Sequence, residues 1–164
     1  MHMSAIRSVF SGIGTLFDRI GSLFEEPEVA RYVAVGESAG GFTIPDPAAP
    51  LPLGDRHIRD IHAPGLTNGS RPVIFFRTTH TGNPAFSVRL NATRLTRHTF
   101  STADSAPRCW HEIVPAGALR PDNNELTLTV SGDGHVTFSD IVILYTSNKL
   151  TVKRPFPDPV LDPT

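Results

Sequence analysis

Three groups of side chains in this sequence have the types that chemistry needs: seven histidines, the run Cys109-Trp110-His111, and a cluster of arginines. The histidines do not gather by spacing. His57 and His62, in "DRHIRDIH", are an odd number of residues apart, so on a strand they point to opposite faces and cannot chelate one ion. His80, His98, His111 and His135 stand singly. Cys109 is the only cysteine, which excludes an internal disulfide and any cysteine-rich zinc site. Cys109 and His111 share a strand face, but period-two spacing alone makes no nucleophilic dyad, and a half-buried structural cysteine is the expectation. No nucleophile elbow, no glycine-rich phosphate loop and no nominated carboxylate pair is present. The sequence therefore reads as non-catalytic, with no cofactor and no metal.

The arginines are more concentrated. Residues 71–111 carry Arg71, Arg77, Arg89, Arg94, Arg97 and Arg108 against a single carboxylate, Asp104. On strands these form a solvated face. Arg94 and Arg97, with Trp110 as an aromatic surface for stacking, are the candidate ligand-binding residues, and a carbohydrate is the ligand they would suit. Packing competes for Trp110, which sits beside Ile113 and Val114. With a formal net charge of −1 and a pI near 6.6, no global field draws the chain to nucleic acid, which is not an expected partner.

The elements that must position these residues are strands. Fifteen prolines and 13 glycines in 164 residues are incompatible with a helical protein and suit short strands joined by turns. "PAFSVRLN" alternates Phe86, Val88 and Leu90 with Ser87 and Arg89, and "NELTLTV" alternates Leu126, Leu128 and Val130 with Thr127 and Thr129. "RPVIFFRT" is a continuous apolar run, the pattern of a strand buried on both faces. Phe75, Phe86 and Phe138 read as core. "RLTRHTF", "CWHEIV", "DRHIRDIH", "KLTV" and "HVTFSDIVILYT" complete the set, and the apolar parity of the last shifts after Phe138, which predicts a bulge near Ser139-Asp140. "TNGS", "TGNP", "RPDNN" and "SGDG" read as turns. The fold class is mainly β: a jelly-roll β-sandwich of about eight antiparallel strands over residues 55–154.

"FSVRLNATRL" and "PAGALRPDNNELTLTVSGDGHVTFSDIVILY" resemble the galactose-binding-like jelly rolls. The resemblance covers residues 85–146 and rests on a strand ending at Leu90-Asn91, a turn through Leu119, Pro121 and Asn124 that enters a strand, and Ser139-Asp140-Ile141 in the final strand. Ala92 and Asn123 stand where the family commonly has glycine. The resemblance implies the sandwich fold, shared by sugar binders and by pure scaffolds. It also implies a calcium candidate at Asp140, with Asp55 or Asp60 as further oxygen ligands, though no dense acidic loop accompanies them.

The first 26 residues are of another kind. "IRSVFSG IGTLFDR IGSLFEE" is one heptad written three times, with Ile6, Ile13 and Ile20 at a, Val9, Leu16 and Leu23 at d, and Phe10, Phe17 and Phe24 at e. At 3.6 residues per turn these nine side chains form one wide stripe on an amphipathic helix, capped by Ser4 and closed before Pro27. Interior glycines make such a helix marginal alone, so it needs a partner surface. Self-association, a lipid interface, a groove on another protein and the protein's own sandwich are the four surfaces it would suit. The near-identical repetition speaks for a repeated protein groove or self-assembly and against an irregular sheet face. Residues 27–54, with "AGGFTIPDPAAPLPLGD", read as a Pro/Gly-rich linker with one strand near Tyr32, Val33 and Val35, and residues 155–164 as an extended tail.

No apolar run reaches the length of a membrane span and no secretory signal pattern opens the chain, so a cytoplasmic protein or a particle subunit is expected. The sequence reads as a non-catalytic structural or decorating subunit held by its N-terminal helix. The alternative is a carbohydrate-binding module tethered by that helix to a surface or membrane.

Overall fold

The computed structural model describes residues 28–35, 41–104 and 106–149. The heptad helix and the C-terminal tail lie outside the described residues. Seven strands account for most of what is described: β1 Val29–Val35, β2 Phe42–Ile44, β3 Asp55–Ile61, β4 Val73–Leu90, β5 Thr93–Thr99, β6 Arg108–Ile113 and β7 Asn124–Ser147. All the pairings are antiparallel.

β4 and β7 are long, at 18 and 24 residues, and they pair with each other from Val73↔Leu144 to Leu90↔Leu126. The other strands attach to this ribbon. Its first half, Val73–Thr78 with Phe138–Ser147, carries β6 on the β4 side and β1 on the β7 side. Its second half carries β5 on the β4 side and β3 on the β7 side. These are here called the upper half-sheet (β1-β7-β4-β6) and the lower half-sheet (β3-β7-β4-β5). They face each other across the core: Phe76 of the upper half meets Phe86 of the lower half edge-on at 6.1 Å, and Phe86 meets Phe138 at 5.5 Å. The jelly-roll β-sandwich anticipated from the sequence is the fold observed, with seven strands among the described residues.

The bend between the halves falls on "TGNP" and "SGDG", which pair with each other rather than turning separately: Thr81↔His135, Gly82↔Gly134, Asn83↔Asp133 and Pro84↔Gly132. Glycine is required here by close approach. A Cβ on Gly134 would lie 1.9 Å from the Thr81 carbonyl oxygen, and its φ of 123° is one that side chains avoid. "NELTLTV" and "HVTFSDIVILYT" are thus one strand. The bulge expected near Ser139-Asp140 is present: Phe75 pairs with Val142 while Arg77 pairs with Ser139, and Asp140 has φ 54°. Inward-facing positions on β7 switch accordingly from even (Val136, Phe138) to odd (Ile141, Ile143, Tyr145).

Two expectations need correction. Residues 27–54 are not only a linker, because β1 and β2 pair with β7 inside the sheet, and Val35 and Ile44 are buried. Phe75 is not core. Ile74 and Phe76 of "VIFF" are buried, whereas Phe75 points outward and is 42% exposed.

One end of the sandwich is closed by two asparagines. Asn124 is fully buried with all of its amide capacity used: Nδ2 donates to the carbonyls of Ile61 (2.9 Å) and Arg120 (2.7 Å), and Oδ1 accepts from Arg120 N (2.8 Å) and Asn91 Nδ2 (3.0 Å). Asn91, in left-handed backbone at φ 53°, also donates to the Ala118 carbonyl (2.7 Å) and accepts from Glu125 N (3.0 Å). The end of β3, the β4–β5 turn, the 118–120 turn and the start of β7 are fastened at one point.

Replacing Asn124 by Leu strands two carbonyls and two donors in a dry site, at about 1–3 kcal/mol for each buried polar group left unpaired. Asn124→Leu is expected to lower stability by about 3 kcal/mol or more, read as a fall in the urea midpoint. Gly134→Ala, which forces the ribbon apart at its bend, is expected to cost about 2 kcal/mol or more by the same measurement.

Candidate functional site

Strand alternation leaves the lower half-sheet with an outer face of small hydroxyl residues. Leu126, Leu128 and Val130 of β7 are buried, and so are Phe86, Val88 and Leu90 of β4. That turns Thr127, Thr129 and Ser131, with Ala85, Ser87 and Arg89, outward. On β5, Arg94 and Arg97 are three residues apart, a spacing that would place them on opposite faces of a regular strand. A bulge prevents this. Val88 pairs with Thr96 but Arg89 pairs with Arg94, so Leu95 is the extra residue and both arginines emerge on the outer face.

Register fixes the resulting rows. Asp55, Thr129, Ser87 and Arg97 lie side by side across four strands, and His57, Thr127, Arg89 and Arg94 form the next row. Each row runs from the β3 edge to a guanidinium on β5, with Thr129 and Ser87 between in the first and Thr127 and Arg89 in the second. A depression of about 200 Å³ opens where Arg94 and Arg97 rise beside Ala85, Ser87, Thr129 and Ser131. Chemically this is a set of hydroxyls beside the guanidinium groups of Arg89, Arg94 and Arg97, with no Phe, Tyr or Trp side chain in either row.

The β3 edge is tied up in ion pairs. His57 is held between two carboxylates, with Nδ1 hydrogen-bonded to Glu125 and Nε2 3.0 Å from Asp55 Oδ2, while Arg59 Nε lies 3.4 Å from the other Glu125 oxygen. The hydrogen bond to Glu125, then that to Asp55, raises the His57 pKa above its ordinary 6.5. The same hydrogen bond, assisted by Arg59, lowers that of Glu125. In the protonated ring both nitrogens donate, one to each carboxylate; the neutral ring that forms above the raised pKa keeps one N–H and has its other nitrogen as an acceptor.

Trp110 is not part of this face. Its ring stacks on Phe76 (6.0 Å, 10° between planes), meets the Phe86 edge at 5.2 Å, and donates Nε1–H to Thr78 Oγ1 at 2.8 Å. It seals the gap between β5 and β6 with His98, Phe100 and Arg108, and Arg108 is paired at 2.6 Å with Asp104. Of the two roles open to Trp110 in the sequence, stacking on a ligand and packing beside Ile113 and Val114, its contacts are those of packing. Cys109 is exposed on the outer face of the upper half-sheet rather than half-buried. Asp140 accepts from Ser139 Oγ at 3.0 Å, and among the described residues no group of three or more His, Cys, Asp or Glu is arranged to hold a metal ion. A larger cavity, about 600 Å³, opens at the β1 edge beside Arg31, Tyr32, His62 and Tyr145, where residues 1–27 join the sandwich. The nine helix residues expected to bind a partner, Ile6 to Phe24, lie outside the described residues.

The sequence named Arg94 and Arg97 but not Ser87, Thr129 or Ser131, whose signal was only the polar half of the strand alternation. Nor did it place the two arginines together, because a one-residue bulge leaves no mark in composition.

No family model matches the chain, and no curated protein matches it. Solved structures do resemble it in fold. The crystal structure of dimeric latent PorU from Porphyromonas gingivalis superposes with a TM-score of 0.50 at 14% identity over 75% of this chain, which spans 13% of that one. Two carbohydrate-binding modules are also among the structures found. The C-terminal CBM6 of the laminarinase LamC from Zobellia galactanivorans has a TM-score of 0.42 at 14% identity, over 70% of this chain and 98% of the module. The CBM36-1 domain of a multidomain xylanase from the hindgut metagenome of Trinervitermes trinervoides has 0.41 at 9%, over 72% and 96%.

The His57 cluster has a pH signature. A raised His57 pKa stabilises the fold below pH 6.5, and that contribution disappears as pH rises through the folded value; the lowered Glu125 pKa stabilises above 4.5 and is lost as pH falls through its own folded value. The pair thus contributes most between those limits. An NMR titration of the His57 ring is expected to give a midpoint above 6.5 that drops in Glu125→Gln; a midpoint at or below 6.5 contradicts the pairing.

Proposed function

We propose that the domain is a non-catalytic module that binds an acidic carbohydrate chain across the outer face of the lower half-sheet. The observation that carries this reading is the convergence of Arg94 and Arg97 on a hydroxyl-lined depression. Its 200 Å³ is less than the roughly 300–1,000 Å³ of sites that enclose a small molecule. It suits one acidic group of a ligand whose remainder runs along the open rows. Arginine meets a carboxylate or sulfate with paired N–H donors, while Thr127, Thr129 and Ser87 both donate to and accept from sugar hydroxyls.

The absence of Phe, Tyr and Trp side chains from the two rows argues against a neutral, stacking sugar site. Asp55 and Glu125 at the β3 edge argue against a polyphosphate, whose dense charge they would repel. A second reading, a structural or decorating subunit docked through its N-terminal repeat, rests on the seven-residue repetition of residues 6–26.

Titration calorimetry with oligogalacturonate, set against a neutral cello-oligosaccharide, tests the proposal. Binding of the acidic chain alone is expected, weakening as salt rises and falling about 10- to 100-fold in Arg97→Gln and in Arg94→Gln, the range for a hydrogen bond to a charged group. Equal binding of the neutral chain, or indifference to both substitutions, would overturn it.

A further inference from the structure

One register row on the outer face of the upper half-sheet is apolar across all four strands: Tyr32 of β1, Leu144 of β7, Val73 of β4 and Ile113 of β6. Ala34, Val142 and Phe75 continue it in the next row, which ends at His111, and polar residues begin beyond it with Ser139 and Arg77. Tyr32 is 72% exposed, Ile113 68%, Phe75 42% and Leu144 39%. Solvated antiparallel sheets turn polar residues to water, as the lower half-sheet does. Here "VIFF" and "DIVILY" have the continuous apolar pattern of strands covered on both faces, but only the inner face is covered among the described residues.

One segment of this chain has the shape and position to cover it. The heptad repeat ends at Glu26, and only Pro27 and Glu28 separate it from β1, the strand that carries Tyr32. Its apolar positions are a, d and e, the wide stripe of a helix that lies on a sheet or core rather than the narrow a/d seam of a coiled coil. As a helix, 21 residues reach about 31 Å and have a diameter of about 10–12 Å. β1 is seven residues long, about 23 Å, and the outer strands of four at 4.8 Å spacing are about 14 Å apart. One helix spans the whole length of the face, overhanging β1 by about 8 Å, and nearly covers its width. The regular repeat also meets a regular surface, since the apolar residues of this face lie in strand register.

We infer that residues 4–26 fold back as an amphipathic helix onto the outer face of the upper half-sheet, making it the third layer of the protein. A two-residue tether holds the segment at about millimolar effective concentration over its own face, which a second copy at micromolar concentration does not match. The repeat is then an intramolecular cover, not the anchor of the structural-subunit reading. This inference stands independently of the glycan site on the opposite face.

The test uses the full chain with Cys109→Ser and a reporter thiol at Ile113→Cys, with Tyr32→Cys as a second reporter should the first perturb folding. Trp110 fluorescence monitors the sandwich, and light scattering gives the mass. The expected result is a monomer whose reporter reacts with Ellman's reagent at least 10-fold more slowly than in the same chain carrying Leu16→Asp and Phe17→Asp. A reporter that reacts freely in the unaltered repeat would show the face open and overturn the inference. Protection confined to a dimer and lost on dilution would assign the face to a second copy, and would overturn it as well.

Discussion

Everything in this fold hangs on one hydrogen-bonded ladder. β4 and β7 pair from Val73↔Leu144 to Leu90↔Leu126, and each remaining strand is attached to one or the other. The ribbon is long enough to belong to both layers, so its bend decides whether the layers meet. Three local devices set that bend and its phase: the facing glycines 82 and 134, the bulge at Asp140, and the asparagine pair at the far end. The bulge matters most for polarity. Without the extra residue, Ile141, Ile143 and Tyr145 would face outward and the upper half of the core would be lost.

The same ladder gives the two outer faces opposite characters. On the lower half-sheet the outward positions are mostly Thr, Ser, Arg and other polar residues; on the upper half-sheet the central rows are Val, Leu, Phe, Ile and Tyr, with His111, Arg77 and Cys109 toward one end. Both faces are flat products of strand register, yet one is built to meet a hydrated ligand and the other to exclude water. A domain with that asymmetry can hold a protein layer on one side while the other stays free. The β5 bulge adds a functional detail, since it converts a scattered arginine pair into a matched one by displacing Leu95.

Much of the architecture was legible in the sequence because alternation is written directly in "FSVRL" and "LTLTV", and because the parity break after Phe138 has only one structural meaning. Asn91 and Asn124 were also visible as landmarks, although their mutual hydrogen bond was not. Other features were illegible for physical reasons. "TGNP" and "SGDG" have turn composition, but two such segments opposite each other satisfy their backbones by pairing, which no single-segment reading detects. The pairing of β1 and β2 with β7 is likewise a long-range choice that local proline content obscures. Trp110 was ambiguous because a ring beside a sheet edge serves packing or binding equally well until its indole N–H finds Thr78.

The placement of β7 at the end of the described chain has a kinetic consequence. β1, β2 and β3 pair only with β7 in the ladder, so as the chain emerges from the ribosome its first three strands have no partner until the last is made. β4, β5 and β6 can meet earlier, with β5 and β6 each paired to its own half of β4 and Phe86 gathering its aromatic neighbours. Folding then waits on the most distant contacts, such as Val29 with Ser147, which place it among slow, high-contact-order β proteins. During that interval the unpaired edges of β4 and the apolar stretches upstream are open to misassociation. A chain truncated within β7 would lose its central strand rather than a terminal one.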